Sequence, residues 1–175
     1  AGIVDTTGYT GRMNVQGEEV AKLDEWANEL IVDLLGETGC VCVMGSEEVE
    51  GPISPPGSAS MGRYAVLFDP VDGSSNIDIA APVGTIFSAQ RRVTESGTGH
   101  MDDLLQPGRD QAAAGYILYG SSTMFVYTTG NGVHAFTLDP TMGEFHLTTE
   151  DLKFPDKSNV YSTNEGNAGT WLEPD

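Results

Sequence analysis

Positive charge is what this chain has least of. Its 175 residues carry 8 lysines and arginines against 26 aspartates and glutamates, a net charge of −18. That balance excludes nucleic acid and an anionic membrane surface as partners. It excludes an anionic small molecule only while no cation is bound, because a divalent ion inverts the local charge. Most of the acidic residues read as a solvated surface, and a high-salt habitat is compatible with them. Cysteine is nearly absent: Cys40 and Cys42 stand two apart in Gly39-Cys40-Val41-Cys42-Val43, on one face of a strand. Too few ligands lie nearby for zinc. They read as buried free thiols in a reducing compartment, which places the protein in the cytoplasm. No apolar run approaches the roughly 18 residues of a membrane span. No signal peptide is expected, although the first residue, Ala1, is not a start methionine. The three histidines, His100, His134 and His146, are scattered, and no nucleophile motif of a Ser–His–Asp hydrolase accompanies them. His134, inside a strand-like run, is expected to be structural.

What remains is enough for one domain with a sizeable core. Residues 1–17 are polar and glycine-rich and read as a mobile segment. A helix is expected over 18–35, where Val20, Leu23, Ala27, Leu30, Ile31 and Leu34 share one face and Gly36 supplies the stop. A short strand follows at 41–44, then a loop over 51–60. Strands are expected at 64–68 and 83–89, a polar excursion at 91–110, and close-set strands at 112–118, 124–128 and 133–138. Asn131-Gly132 marks a hairpin between the last two, and 145–147 and 160–161 read as short strands. One helix followed by strands in hairpin order argues for an α+β fold, a mostly antiparallel sheet flanked by helices.

The chemistry concentrates at 64–78. An apolar strand ends at Asp69-Pro70-Val71-Asp72, and Gly73-Ser74-Ser75-Asn76 follows at once. Two carboxylates suit a hard cation. Backbone N–H groups at a helix start after Gly-Ser-Ser suit a phosphate. Pro70 fixes φ between the aspartates, leaving the Val71 carbonyl as a further candidate ligand. Glu47 and Glu48 follow the strand at 41–44. If the two strands are neighbours, four carboxylates meet, which like-charge repulsion permits only around bound cations. Two such ions are a usual solution for phosphate ester hydrolysis. The plainer reading stays open: Asp-Pro-x-Asp-Gly is also a common turn, and an aspartate ahead of Gly-Ser-Ser also caps helices. Asp24 falls about 70° from the centre of the helix's apolar face. A carboxylate on that rim is within reach of such a site, as part of a general base.

These motifs identify a resemblance. The pieces are Asn14-Val15-Gln16-Gly17-Glu18, Lys22-Leu23-Asp24, Ser46-Glu47-Glu48, Phe68 through Asp78, Val83-Gly84-Thr85-Ile86-Phe87, Leu105-Gln106-Pro107-Gly108 and Tyr161-Ser162-Thr163-Asn164-Glu165-Gly166. In this order they resemble class I fructose-1,6-bisphosphatase of the bacterial type, within the lithium-sensitive sugar and inositol phosphatase superfamily. The resemblance implies the N-terminal half of a layered α/β/α/β/α fold and hydrolysis of the 1-phosphate of fructose 1,6-bisphosphate. Sedoheptulose 1,7-bisphosphate or an inositol phosphate is the alternative substrate, and a non-catalytic metal- and phosphate-binding half-domain the alternative of another class. It implies magnesium, two or more ions, replaceable by manganese or zinc, and a homo-oligomer, dimeric or tetrameric. Glu47, Asp69, Asp72 and the Val71 carbonyl are implied metal ligands, and Glu48 and Asp24 act on the attacking water. Glu18 belongs to a loop that closes on the site, and Asp72, Gly73, Ser74, Ser75 and Asn164 contact substrate. Members run to roughly twice this length. The expectation is therefore that residues 1–175 form the N-terminal domain, that the C-terminal substrate domain is absent from this chain, and that turnover is weak without it.

Overall fold

The computed structural model describes residues 8–13, 19–56, 62–162 and 169. Its elements run β1 (Tyr9–Met13), β2 (Glu19–Ala21), α1 (Lys22–Glu37), β3 (Val41–Ser46), β4 (Val49–Ile53), β5 (Tyr64–Asp72), β6 (Val83–Arg91), α2 (Met101–Leu104), β7 (Ala113–Tyr119), β8 (Thr123–Thr128), β9 (Val133–Asp139) and β10 (Glu144–Thr149). β1 and β2 form a small antiparallel pair. The other strands form one sheet in the order β10-β9-β8-β7-β6-β5-β3-β4. Every pairing in it is antiparallel except β3 with β5. The α+β expectation, with a mostly antiparallel sheet, is met.

Alternation along β5 divides the core between two faces. Val66 and Phe68 join Val41 and Met44 on the face packed by Ile31, Val32 and Leu35 of α1. Ala65 joins Cys42 and Val43 on the other, under Leu104 and Met101 of α2. β3 and β5 are thus covered on both sides, as a parallel pair requires. Burial thins along the sheet, and β10 is exposed throughout.

Several local expectations are corrected. Residues 9–13 are a strand, because β2 pairs with them. That pairing takes 19–21 out of the helix, so α1 starts at Lys22 rather than 18. Gly36 lies inside the helix: a Cβ there would sit 2.5 Å from Pro56 Cδ, so this glycine answers to close packing. The stop comes at Thr38, whose hydroxyl donates to the Leu35 carbonyl at 2.6 Å, and at Gly39 with φ 66°. Residues 51–53, expected as loop, complete β4, an edge strand where Pro52 costs no ladder bond in a sheet interior. Residues 160–161 are not a strand, and Val160 and Tyr161 are exposed. Only Cys42 is buried; Cys40 precedes β3 and is exposed. Burial, with the Asp103 charge behind it, pushes the Cys42 thiol up.

Candidate functional site

The parallel pairing of β3 with β5 sets Ser46 beside Phe68, so β3 ends there while β5 runs on to Asp72. The Glu47 N–H donates to the Phe68 carbonyl at 3.2 Å, carrying the register one residue past the strand. Glu47 and Glu48 form the tight turn into β4, and the Glu48 N–H donates to the Ser46 hydroxyl at 3.2 Å. The Glu47 side chain is hydrogen-bonded to Asp69 of β5. The Asp69 carboxyl is pushed up to about 7, by burial first, then by the hydrogen bond to Glu47 and its charge; the charge of Asp72 adds to the rise. The Val71 N–H opposes it by donating to Asp69 Oδ1 at 3.0 Å. Two acids bonded to each other hold either a shared proton or a cation in its place.

The register of β5 breaks after Asp69. Asp69 pairs with Ile86 and Asp72 with Gly84, so Pro70 and Val71 together face Thr85 of β6. Val71 is buried and Asp72 exposed. Gly73 follows with φ 80° and ψ 31°, a left-handed geometry that favours glycine. The helix expected to start here is a 3-10 helix over Ser74–Ile79. The Asn76 N–H donates to the Gly73 carbonyl at 2.8 Å, and Asn76 Nδ2 to the Pro82 carbonyl at 3.2 Å. Ser74 is half-buried and Ser75 exposed. The Tyr9 hydroxyl donates to Asp78 Oδ2 at 3.3 Å and ties the β1–β2 pair to this helix.

Asp24 is not on a solvent rim. It is 2% exposed, in the first turn of α1, on the helix that covers β3 and β5. Glu48 is half-buried. Glu18 and Asn164 lie outside the described residues. The structure therefore brings Glu47 against Asp69, with the Asp72 charge close enough to act on Asp69. Among the described residues, no three His, Cys, Asp or Glu side chains converge on a point that an ion could share. The donor set still fits a hard divalent cation: oxygen atoms only, partly desolvated, with a carboxyl whose proton occupies the place of a charge.

Three residues have tasks that the motifs do not assign. Asp103 has 0% exposure and accepts hydrogen bonds from the backbone N–H groups of Val93, Thr94 and His100 and from the Thr94 hydroxyl, all at 2.8–2.9 Å. Burial alone would raise its pKa, but these four donors together hold it at about 2. Thr85 and Tyr119 hydrogen-bond each other beside the bulge. Asp103 stands next to exposed Asp102 with nothing in the pattern to separate them. Thr85 lies inside a quoted motif, but only the bulge gives it a task.

His134 behaves as a structural histidine. Its Nδ1 accepts from the Asp151 N–H at 3.4 Å, which leaves Nε2 protonated to donate to the Asn131 carbonyl at 3.2 Å.

Residues 1–150 match the family described as Fructose-1-6-bisphosphatase, N-terminal domain. A class 1 fructose-1,6-bisphosphatase of Maridesulfovibrio salexigens is 53% identical over 99% of this chain and 52% of its own length. One of Pelodictyon phaeoclathratiforme is 55% identical over the same shares. The crystal structure of Leishmania major fructose-1,6-bisphosphatase in holo form superposes with a TM-score of 0.88 at 40% identity, covering 98% of this chain and 54% of that one. The chain spans about half the length of the curated relatives it matches.

Proposed function

The chain belongs to the fructose-1,6-bisphosphatase family, and we propose that it carries the metal- and phosphate-handling part of an enzyme that hydrolyses the 1-phosphate of fructose 1,6-bisphosphate. The observation that carries this reading is the Glu47–Asp69 contact where β3 ends beside its parallel neighbour β5, three residues before Asp72-Gly73-Ser74-Ser75 begins. Two oxyacids are driven together there at a cost in charge repulsion that a divalent cation removes.

Glu47, Asp69, Asp72 and the Val71 carbonyl hold the ions, magnesium by preference, with manganese or zinc as substitutes. When bound, such ions polarise the phosphoryl group and neutralise the carboxylates around it. The chain's own residues do the remaining work. Asp24 and Glu48 orient the attacking water and accept its proton on a carboxylate oxygen. Asp24 is buried in the first turn of α1, the helix that packs on β3 and β5. Gly73, Ser74, Ser75 and Asn164 receive the phosphate, with Gly73 allowing the close backbone approach. Asp72 orients the sugar side, and Glu18 closes over the site from the segment between β1 and β2. Residues 1–175 act as the N-terminal domain of a cytoplasmic homo-oligomer.

Phosphate release by the full-length protein tests the reading, with fructose 1,6-bisphosphate, sedoheptulose 1,7-bisphosphate and inositol monophosphate compared in magnesium and in chelator. The expected result is magnesium-dependent release, highest for the fructose ester. A preference for inositol monophosphate by about tenfold in kcat/KM overturns it.

A further inference from the structure

The bulge in β5 sets Pro70 and Val71 against the single residue Thr85. Pro70 has no N–H, and its ring is fully buried. A buried carbonyl displaced from the ladder by a bulge needs a donor from elsewhere. Thr85, 8% exposed, supplies it: its hydroxyl donates to the Pro70 carbonyl at 2.8 Å. A hydroxyl has one proton, so the contact of Thr85 Oγ1 with the Tyr119 hydroxyl at 3.1 Å has Tyr119 as donor. Tyr119 reaches it because it pairs with Val83, two residues from Thr85 on the same face of β6.

The other end of the same peptide unit is also held. The Pro70 carbonyl and the Val71 N–H belong to one planar trans peptide and point in opposite directions. The carbonyl goes to Thr85 and the N–H to Asp69 Oδ1 at 3.0 Å. A chain of hydrogen bonds therefore runs from Tyr119 through Thr85 and the Pro70–Val71 peptide to the Asp69 carboxyl, whose side chain also meets Glu47.

We propose that Thr85, oriented by Tyr119, is a positioning residue for the cation site: it fixes the rotation of the Pro70–Val71 peptide and so the aim of the Asp69 carboxylate and of the Val71 carbonyl one step on. The proposal rests on the metal reading of Asp69 given above. Partners one shell behind a metal ligand fix its orientation and set its affinity. Thr85 touches neither ion nor substrate and acts only through the peptide.

The test is titration of the full chain with Mn2+ alone, free ion being read by electron paramagnetic resonance, on the parent and on Thr85→Val, Thr85→Ser and Tyr119→Phe. Thr85→Val keeps the shape, removes the hydroxyl and is expected to weaken Mn2+ binding about tenfold. Thr85→Ser restores the donor and is expected to stay within about twofold of the parent. Tyr119→Phe leaves the Pro70 bond in place without its orienting donor and is expected to cost about threefold. Circular dichroism establishes that each variant is folded. A folded Thr85→Val that binds like the parent overturns the proposal, as does an equal loss in Thr85→Ser. Should Thr85→Val not fold, Tyr119→Phe decides, since Tyr119 is 41% exposed, and parent-like binding there overturns the clamp. A parent that binds no Mn2+ overturns the metal reading itself, and the clamp with it, which separates the two failures.

Discussion

The two ends of the eight-stranded sheet are built from the same kind of strand and differ in nearly everything else. At one end β3 and β5 run parallel, packed by α1 on one face and α2 on the other. The end of β3 places Glu47 against Asp69 of β5. At the other end β7 to β10 meander through hairpins, and their burial falls away until no residue of β10 is covered. Aromatic side chains dominate there: Phe125 packs against Phe87, Tyr127, Phe136 and Phe145 at centroid distances of 5.2–6.3 Å. Hairpins need only a turn, so they assemble locally and expose one face at little cost. A parallel pair needs a crossover and burial on both faces, and its strand ends fall together with no turn joining them. Polar groups and charge accumulate at those ends, which is why the candidate site lies at this side of the sheet.

The comparison is broken most directly by a pair of substitutions. Asp72→Ala is expected to lower metal-dependent phosphate release by the full-length enzyme roughly a thousandfold, whereas His134→Ala, at the hairpin end, should leave it within about twofold. Equal losses would put the site elsewhere. The next effect is on stability. Phe68→Ala, in the covered core, should cost about 4 kcal/mol in urea denaturation, and Phe145→Ala, 40% exposed on β10, about 1 kcal/mol. Similar values would show that the hairpin end is as tightly packed as the parallel end.

The smallest effect lies in the pH dependence of the metal-free protein, where two aspartates act with opposite signs. Asp103 titrates at about 2, below its ordinary 3.8, so its contribution is present above 3.8 and is lost as pH falls through 2. Asp69 titrates at about 7, so the folded state holds its proton more tightly than the unfolded chain does. Its contribution is complete below 3.8 and is lost as pH rises through about 7. Thermal melts in chelator should therefore show stability declining between those values, and Asp69→Asn should flatten the decline. An unchanged slope in Asp69→Asn would mean that the Glu47–Asp69 contact does not govern it.

Much of the fold was legible because it is local. The continuous apolar run that leads into Asp69, the Asn131-Gly132 hairpin and the hairpin order of the later strands follow from hydrophobic pattern and turn chemistry. The errors are equally physical. Gly36 and Pro52 are breaker residue types, but a glycine demanded by packing against Pro56 and a proline on an edge strand break nothing. β1 was missed because a polar, glycine-rich strand has no period to detect and exists only through its partner.

By itself the sequence determined the candidate chemistry: carboxylates grouped around Asp69-Pro70-Val71-Asp72, too little positive charge for a polyanion, and motifs that carry the family resemblance. The tertiary structure alone decided that Glu47 meets Asp69, that Asp24 is buried, that Asp103 is a hub while Asp102 is solvated, and that Thr85 answers a bulge. The reason is that turns and periods depend on neighbours along the chain. Which strand lies beside which, and in what register, depends on burying the whole sheet at once.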